Sequence, residues 1–397
     1  MSESPRRRVL LGITGGIAAY KAAELVRLLV QQEVDVQVVM TESAIRFIAP
    51  LTLQALSGRR VHTDMWDLNA ENGMSHIQLS RDTDLIVIAP ASADFIAKLV
   101  HGHADDLLST LCLARDCPMF VAPAMNRQMW DHPATQRNVA MLREDGVRVL
   151  GPDSGSQACG ETGMGRMTEP EALCDQIVGW FEPKVLDKVN VVVTAGPTFE
   201  RLDAVRGLTN LSSGRMGYAI ARASRDAGAR VILVTGPTML QPPSGIRVVK
   251  VTSAQEMLEG VEKALSDCHV FISVAAVADY APLNPQEQKI KKDARILALE
   301  LAPTPDILAN VASRANPPFC VGFAAESEKL DEYAESKRKR KHLPLLAANL
   351  AHEAIGAESN ELILFDDEGR HVLPRAPKLT QARLLVHHLA RLYAKAR

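Results

Sequence analysis

Short apolar runs alternate with amphipathic segments along most of the chain. In the first half, β-branched runs predict strands, and apolar positions that recur every three or four residues predict helices. The predicted strands are 9–14, 34–40, 85–89, 119–122 and 147–150, and the predicted helices are 18–31, 93–100 and 171–181. These strands lack polar alternation, which indicates burial on both faces and therefore a parallel sheet covered by helices.

The same alternation restarts after a short polar segment with a proline, 182–188, which predicts two domains, 1–187 and 188–397. A length of 397 residues suits two hydrophobic cores rather than one. Strands in the second half are predicted at 189–194, 230–235, 247–251, 270–274, 320–324 and 345–348. The segment 361–373 predicts a hairpin that turns at 366–369 and forms an antiparallel edge. The predicted fold class is α/β, with two doubly wound, Rossmann-like domains.

Charge and cysteine usage narrow the function classes. A formal net charge of -2 gives no overall attraction to nucleic acid or acidic lipid. The six cysteines form no C-x-x-C pair, so we expect reduced thiols in a cytoplasmic protein and no structural zinc. His101 and His103 lack the neighbouring ligands that a metal site needs. Glycines interrupt the apolar run after 6–8, which disfavours an export signal, and no run approaches the roughly 20 residues of a membrane span.

Small and polar residues follow the predicted strands of the first half, where a parallel sheet binds its ligands. They are Gly15 and Gly16, Thr41, Ser92 and Ala93, and Asn126. Glycines followed by a helix suit a phosphate, and hydroxyls on neighbouring loops suit a flat ring. The spacing of Gly12, Gly15 and Gly16 is not the full dinucleotide fingerprint, and no acidic residue stands at Met40 or Thr41 to bind a ribose. The pattern therefore favours a mononucleotide such as FMN over NAD.

Cys159 lies in a glycine-rich segment, 157–166. A lone cysteine in such a segment is usually incidental. Here, however, three glycines give the backbone the freedom that a flap over a pocket needs. We therefore predict a flexible flap that carries the Cys159 thiol to a bound substrate.

Four segments of the first half together resemble the flavin-dependent cysteine decarboxylase family, specifically phosphopantothenoylcysteine decarboxylase. They are 15–21, His76, 123–126 and 158–167. The resemblance implies a flavodoxin-like domain in which FMN oxidises the substrate's terminal cysteine to a thioaldehyde. The thioaldehyde loses CO2 because C=S is an electron sink, and the flavin reduces the enethiol product. The implied cofactor-binding residues are Gly15, Gly16, Ile17, Thr41, Ser92 and Ala93.

The same resemblance implies three catalytic side chains. Asn126 would hold the substrate carboxylate through its amide, His76 would act as a base or orient the reacting end, and Cys159 would protonate the enethiol. Without the resemblance, Asn126 would be a turn residue and His76 a core histidine. Two positions depart from the family, with Ser75 in place of a common glycine and Asp105 in place of a common asparagine.

The second half contains a long polar stretch, 194–217, and a basic run, 337–341. Long loops in compact domains are usually functional, and Ser212 to Gly214, before a helix predicted near Met216, suit an anion. Lys337 and Lys341 are one helical turn apart and share a face, as gripping a triphosphate requires. A nucleic-acid patch is the second interpretation of this run.

These features resemble phosphopantothenate-cysteine ligase, the usual partner of the decarboxylase on one bacterial polypeptide in coenzyme A synthesis. The resemblance implies a CTP site in which Asp279 and 273–275 read cytosine and ribose and three lysines face the phosphates. The implied CTP-binding residues are Ser273, Val274, Ala275, Asp279, Lys289, Pro305, Asp306, Ile307, Leu308, Phe323, Lys337 and Lys341.

The implied ligation begins when the carboxylate of 4'-phosphopantothenate attacks the α-phosphorus of CTP, which gives an acyl-cytidylate and pyrophosphate. The amine of L-cysteine then forms 4'-phosphopantothenoylcysteine and releases CMP. Lys289 and Mg²⁺ would stabilise the phosphate charge and Asn210 would donate to the acyl-phosphate, whereas the metal ligands stay unassigned. Leu211, Arg215 and Leu350 depart from common His, Lys and Asp.

The overall prediction is a bifunctional enzyme whose second half makes 4'-phosphopantothenoylcysteine and whose first half converts it to 4'-phosphopantetheine. Because related decarboxylases place flavin sites at trimer contacts, the resemblance also implies a homo-oligomer. Two alternatives stay open. A tandem NAD-dependent reductase predicts nicotinamide turnover without flavin, and a nucleotide-responsive nucleic-acid-binding protein predicts salt-sensitive polyanion binding through 337–341.

Overall fold

The computed structural model describes residues 7–66, 79–158, 160–291, 297–326, 328–350 and 359–396. The chain divides into two compact units, Met1–Phe181 and Glu182–Arg397. Leu186 is fully buried in the core of the second unit, and its N–H donates to the Ala227 carbonyl at 2.8 Å. The residues from 182 to 187 therefore belong structurally to the second unit.

The first unit is built on a five-stranded parallel sheet. Its strands are β1 (Arg8–Ile13), β2 (Asp35–Met40), β3 (Leu85–Ala91), β4 (Met119–Pro123) and β5 (Arg148–Val149). They lie in the order β2-β1-β3-β4-β5, and every neighbouring pair is parallel. This is the flavodoxin-like order, in which the direction of winding changes between β1 and β3. The predicted parallel sheet is confirmed.

Helices cover both faces of this sheet. They are α1 (Ala19–Gln31), α2 (Glu42–Ile45), α3 (Pro50–Ser57), α4 (Ala93–Val100), α5 (Leu107–Leu113), α6 (Arg127–Asp131), α7 (Pro133–Glu144) and α8 (Pro170–Trp180). Val9 and Leu11 of β1 pack in one core with α1 and α8, whereas Leu10 packs in a second core with α4 and α5. Each fully buried leucine contributes about 1.5–3 kcal/mol, which explains why the strand has no polar alternation.

Part of the glycine-rich segment of the first unit is a strand, which was not predicted. This strand, β7 (Thr162–Arg166), pairs antiparallel with β6 (Asp153–Ser156), which directly precedes the segment. Gly165 has a φ of 124°, and a Cβ there would meet the Met125 carbonyl oxygen at 2.4 Å. The Gly165 carbonyl in turn accepts the Met125 N–H at 2.9 Å. Glycine thus permits a close backbone approach that fastens β7 to the loop after β4.

The second unit is built on an eight-stranded sheet, and two separate pairs of short strands lie outside that sheet. Its strands are β8 (Asn190–Ala195), β9 (Phe199–Arg201), β10 (Gly207–Thr209), β11 (Arg230–Thr235), β12 (Arg247–Lys250), β13 (Val270–Ser273), β14 (Tyr280–Pro282), β15 (Leu301–Pro303), β16 (Phe319–Glu326), β17 (Leu345–Leu350), β18 (Ser359–Asp366) and β19 (Gly369–Pro377). The main sheet has the order β12-β11-β8-β13-β16-β17-β18-β19, and the two short pairs are β9 with β10 and β14 with β15. Its first six strands are parallel in the dinucleotide-binding order, with the switch point between β8 and β13.

The predicted antiparallel edge is confirmed, because β18 pairs antiparallel with both β17 and β19. The helices of this unit are α9 (Arg215–Asp226), α10 (Ala254–Ala264), α11 (Ile307–Ala312), α12 (Leu330–Arg340) and α13 (Lys378–Lys395). The short pair β9 and β10 was not predicted and interrupts the stretch expected to be a crossover loop. Over the residues that the structure describes, no helix is long and apolar enough to cross a bilayer.

Candidate active sites

The first candidate site lies at the switch point of the first unit, where β1 and β3 end. Thr14 connects the two loops there. Its hydroxyl donates to the Pro90 carbonyl at 2.8 Å and accepts the Ser92 N–H at 2.9 Å. Sequence reasoning missed Thr14, because its partners lie 76 and 78 residues away and no local pattern marks them.

The start of α1 is suited to an anion. In the described part of the chain, α1 has no side-chain cap hydrogen bond and no acidic residue in its first turn. A Cβ at Gly15 would meet the Ser43 Cβ at 2.5 Å, whereas a Cβ at Gly16 would meet no protein atom within 4 Å. Gly15 is thus required for packing, and Gly16 faces open space beside the positive end of the helix dipole.

The other predicted cofactor residues lie at the same edge of the sheet. Thr41 follows β2 and accepts the Ala44 N–H at 3.3 Å, and Ser92 follows β3 and accepts the Phe95 N–H at 3.2 Å. Each hydroxyl caps a helix and keeps its own hydrogen to donate. Ala93 is the first residue of α4, and Ile17 is 62% exposed. The predicted cofactor-binding residues therefore all follow the carboxyl ends of three neighbouring strands, β1, β2 and β3.

Asn126 is held between a helix start and the loop of the β6–β7 hairpin. Its Oδ1 accepts the Gln128 N–H at 2.8 Å and caps α6, and its Nδ2 donates to Glu161 Oε2 at 3.0 Å. Gln128 Nε2 donates to the other oxygen of the same carboxylate at 2.9 Å. The Asn126 amide thus already holds a carboxylate, the chemistry predicted for it. His76 and Cys159, the other predicted catalytic residues, lie outside the described residues, as does Ser75.

The departure at Asp105 is neutralised locally. Lys98 Nζ lies 2.9 and 3.0 Å from the two oxygens of Asp105 and 3.3 Å from Asp106 Oδ2. The hydrogen bond from Lys98 lowers the pKa of the exposed Asp105 carboxyl and raises the pKa of the Lys98 ammonium. The additional negative charge of Asp105 is therefore paired with Lys98 at the end of α4.

The second candidate site lies at the switch point of the second unit. Thr194, near the end of β8, accepts the N–H groups of Val274 and Ala275 at 3.1 and 3.2 Å. Ser273 ends β13 beside β8, and Val274 and Ala275 follow it directly. Asn210 Nδ2 donates to the Ala276 carbonyl at 2.9 Å, which ties this predicted catalytic residue to the same loop.

Asp203 organises the segment that carries Lys289. The buried Asp203 carboxylate accepts from Arg206 Nη2 at 2.6 Å and from the Ile290 N–H at 3.1 Å. Arg206 Nη2 also donates to the Ile290 carbonyl at 2.7 Å. The Arg206 hydrogen bond, together with backbone N–H groups, holds the pKa of Asp203 far below its ordinary value. The exposed Lys289 is thus adjacent to Ile290, whose backbone N–H and carbonyl are both held by hydrogen bonds.

Two of the predicted phosphate-binding lysines meet α11 and β16. Lys337 Nζ donates to the Phe323 carbonyl at 2.9 Å, and Lys341 Nζ lies 2.5 Å from Asp306 Oδ2. Asp306 also caps α11 by accepting the Ala309 N–H at 3.0 Å. Burial raises the pKa of Asp306, but the hydrogen bonds from Lys341 and Ala309 outweigh it and hold that pKa below its ordinary value.

The remaining predicted CTP residues are distributed around these contacts. Asp279 is exposed, and its carbonyl accepts the Thr304 N–H at 2.9 Å, one residue before the half-buried Pro305. Ile307 and Leu308 are 3% and 6% exposed and pack in the hydrophobic core. Their side chains therefore stabilise the position of α11.

Two doubly wound units, the first with an anion-suited helix start at its switch point, define the class of two-domain α/β proteins that bind phosphorylated ligands. Residues 1–182 match the family described as Flavoprotein, and 186–393 match the DNA/pantothenate metabolism flavoprotein C-terminal domain. The coenzyme A biosynthesis bifunctional protein CoaBC of Vibrio cholerae is 47% identical over 387 residues, covering 96% of this chain and 97% of that protein. The Escherichia coli protein of the same name is 45% identical over 395 residues, covering 98% and 97%.

The chain therefore belongs to the family of bifunctional coenzyme A biosynthesis proteins CoaBC, and it is a bifunctional decarboxylase and ligase. A solved C-terminal domain of CoaBC is 36% identical and covers 53% of this chain and 99% of its own, with a TM-score of 0.47. The family resemblance is confirmed. The flavoprotein match disfavours the NAD alternative. The nucleic-acid alternative weakens because Arg338 of the basic run pairs with Glu335 and Asp367.

Proposed function

We propose that the second unit ligates 4'-phosphopantothenate to L-cysteine with CTP and Mg²⁺, through an acyl-cytidylate, and releases CMP and pyrophosphate. The first unit then uses FMN to decarboxylate 4'-phosphopantothenoylcysteine to 4'-phosphopantetheine and CO2. The observation that carries this proposal is the open backbone at Gly16, between β1 and an α1 start without an acidic side chain. Purification should yield a yellow protein whose bound flavin is released by denaturation and identified as FMN.

The residues of the first unit fit a flavin mononucleotide. The backbone at Gly16 and Ile17 would hold the phosphate at the start of α1, and the Thr41 and Ser92 hydroxyls would donate to ligand oxygens. When bound, the flavin supplies the reversible two-electron oxidation that creates an electron sink beside the substrate carboxylate. The protein contributes position and charge. The Asn126 amide binds the substrate carboxylate in the place where it holds Glu161.

Substitution of Gly16 by alanine tests the cofactor site. The φ of Gly16 is not in the left-handed region and its Cβ would meet no protein atom, so the variant should fold. The methyl group would project where the phosphate is proposed, and overpacking of one methyl group costs about 1–3 kcal/mol. We expect FMN affinity to fall about tenfold or more, measured by flavin fluorescence, with circular dichroism and ligase activity unchanged. Unaltered FMN affinity would contradict this site.

In the second unit, charge on the triphosphate must be balanced while the carboxylate attacks. Lys289, Lys337 and Lys341 supply positive charge, and Mg²⁺ would be held mainly by the phosphate oxygens. Asp279 and Asp306 offer the hard oxygen ligands that suit Mg²⁺, although Asp306 is already paired with Lys341. No protein ligand is therefore assigned to the metal.

Lys337 should make CTP binding sensitive to alkaline pH. Burial lowers the pKa of Lys337, and the Lys341 charge lowers it further, against opposing effects of Glu326 and Asp306. The ammonium therefore loses its proton at a lower pH than an exposed lysine, whose pKa is about 10.4. As the pH increases, we therefore expect the KM for CTP to rise before the pH reaches about 10.4. Lys337→Arg keeps its charge at alkaline pH, so the KM for CTP in pyrophosphate-release assays should rise less with pH than in the wild type. A pH profile of KM identical to that of the wild type would exclude Lys337 as the source of the rise.

The proposal includes a homo-oligomer in the cytoplasm. Three apolar side chains are strongly exposed on or near the start of α1 and on α3, which packs against α1: Ile17 at 62%, Tyr20 at 61% and Leu51 at 72%. Exposed apolar side chains on neighbouring elements suit coverage by a second copy of the chain. The five cysteines in the described residues are free thiols, which suits a reducing compartment. Light scattering of the purified protein would give the oligomer size.

A further inference from the structure

Three titratable side chains that no step above uses converge at the edge of the second unit. Asp366 ends β18, His371 lies in β19, and His388 lies in the middle of α13. Asp366 Oδ1 lies 3.1 Å from His371 Nε2, and Asp366 Oδ2 lies 2.7 Å from His388 Nε2. One potential ligand atom from each residue lies within 4.8 Å of the other two. The three elements thus direct two imidazoles at one carboxylate.

The carboxylate at the centre of this cluster is rigidly held. The Asp366 side chain is 1% exposed, and its Oδ1 accepts the N–H groups of Glu368 and Gly369 at 2.7 and 3.1 Å. The histidine side chains are 32% and 13% exposed, which leaves one side open to solvent. A cation could therefore enter without disruption of the hydrophobic core.

The donor set matches a borderline divalent metal. Imidazole nitrogen and carboxylate oxygen bind Zn²⁺ at about 2.0–2.2 Å, which places tetrahedral ligand atoms roughly 3.3 Å apart. The distance of 3.1 Å from His371 to Asp366 is close to that separation, and the distance of 2.7 Å from His388 to Asp366 must lengthen by about 0.6 Å when the metal enters. The neighbouring cations do not oppose a metal, because Arg391 and Lys395 pair with Glu368 at 2.6 and 2.5 Å.

We propose that Asp366, His371 and His388 form a binding site for a borderline divalent transition metal, with Zn²⁺ as the best fit and water in the fourth position. Each imidazole binds the metal through Nε2 as the neutral ring with its proton on Nδ1: a charged ring releases its Nε2 proton to solvent, and a neutral ring exchanges it with solvent for a proton on Nδ1. The metal joins the tip of the β18–β19 hairpin to α13 and so stabilises this edge of the sheet. No residue of the proposed CTP site takes part.

The test is a calorimetric titration of the chelator-treated, flavin-loaded full chain with ZnCl2, in the presence of excess Mg²⁺. We expect one Zn²⁺ site whose affinity falls at least about tenfold in His388→Ala, since even the loss of a supporting residue costs 10–100-fold. His387→Ala is the matched control, because His387 is the exposed neighbour of His388 on the same helix. It should bind Zn²⁺ like the wild type.

A second variant keeps the test decisive if His388→Ala unfolds. His371→Gln removes the more exposed ligand, and circular dichroism reports whether it folds. Zn²⁺ should raise the Tm of the wild type and of His387→Ala, but not of His371→Gln. The proposal is overturned if the wild type has no Zn²⁺ site under these conditions, or if folded His371→Gln binds Zn²⁺ as tightly as the wild type.

Discussion

Asn126→Asp is expected to lower decarboxylation of 4'-phosphopantothenoylcysteine by about 100-fold or more, while pyrophosphate release in ligation stays at the wild-type rate. Misplacement of a reacting group by about 1 Å can cost about 10²-fold in rate, and the Asn126 amide is proposed to position the substrate carboxylate. The substitution keeps the Oδ1 that accepts the Gln128 N–H, so the start of α6 remains capped. It replaces the donor to Glu161 by a carboxylate oxygen, which repels both Glu161 and the substrate carboxylate. The measurement is CO2 release from the supplied substrate.

The structure provides a matched control for this variant. Gln128 Nε2 donates to the same Glu161 carboxylate at 2.9 Å, so Gln128→Glu makes the same chemical change two residues away. If the Asn126 amide acts on the substrate, Gln128→Glu should affect decarboxylation far less than Asn126→Asp. Equal losses in the two variants would assign the effect to the loop around Glu161 and contradict a direct role of Asn126.

The strands of the two main sheets and several helices of the first unit could be predicted because their burial is local and periodic. The helix predicted at 93–100 is α4, and the strand predicted at 189–194 is β8, shifted by one residue. By contrast, α7 was missed because it is mostly polar, with only Thr135, Val139 and Leu142 buried. The β6–β7 hairpin was interpreted as a flap because glycines remove the alternation that marks a strand.

The residues of the candidate sites likewise divide into those that the local sequence pattern predicts and those that only the fold brings together. Residues at or just after the end of a strand, such as Ser273 and Ser92, could be placed because parallel strands end at one edge. Asp203 was noted only within a polar stretch, since its partner Ile290 lies 87 residues further along the chain. Glu161 was missed because only the fold brings it to Asn126, 35 residues away. Contacts of this kind leave no signal in local spacing.

Lys289→Gln is expected to lower ligation by about 100-fold or more and to leave decarboxylation unchanged, because the positive charge that faces the phosphate oxygens of bound CTP is lost. The chain shows how that charge is positioned. Asp203 and Arg206 hold the peptide groups of Ile290, and the Leu202 carbonyl accepts the Gln286 N–H at 2.9 Å. The segment that carries Lys289 is thus fixed at two points.

Asp203→Asn separates the charge of Lys289 from its position. An asparagine amide would direct N–H groups at the Arg206 guanidinium and at the Ile290 N–H, where acceptors are needed. Ligation should therefore fall although Lys289 is intact, with a lower kcat and unchanged decarboxylation. Asp331→Asn is the matched control, because it also breaks an aspartate-arginine pair in this unit, with Arg370, but holds no part of 286–291. Wild-type pyrophosphate release in both Lys289→Gln and Asp203→Asn would rule out this segment as the source of phosphate stabilisation. A loss of pyrophosphate release in Lys289→Gln alone would show that the position of Lys289 does not depend on Asp203.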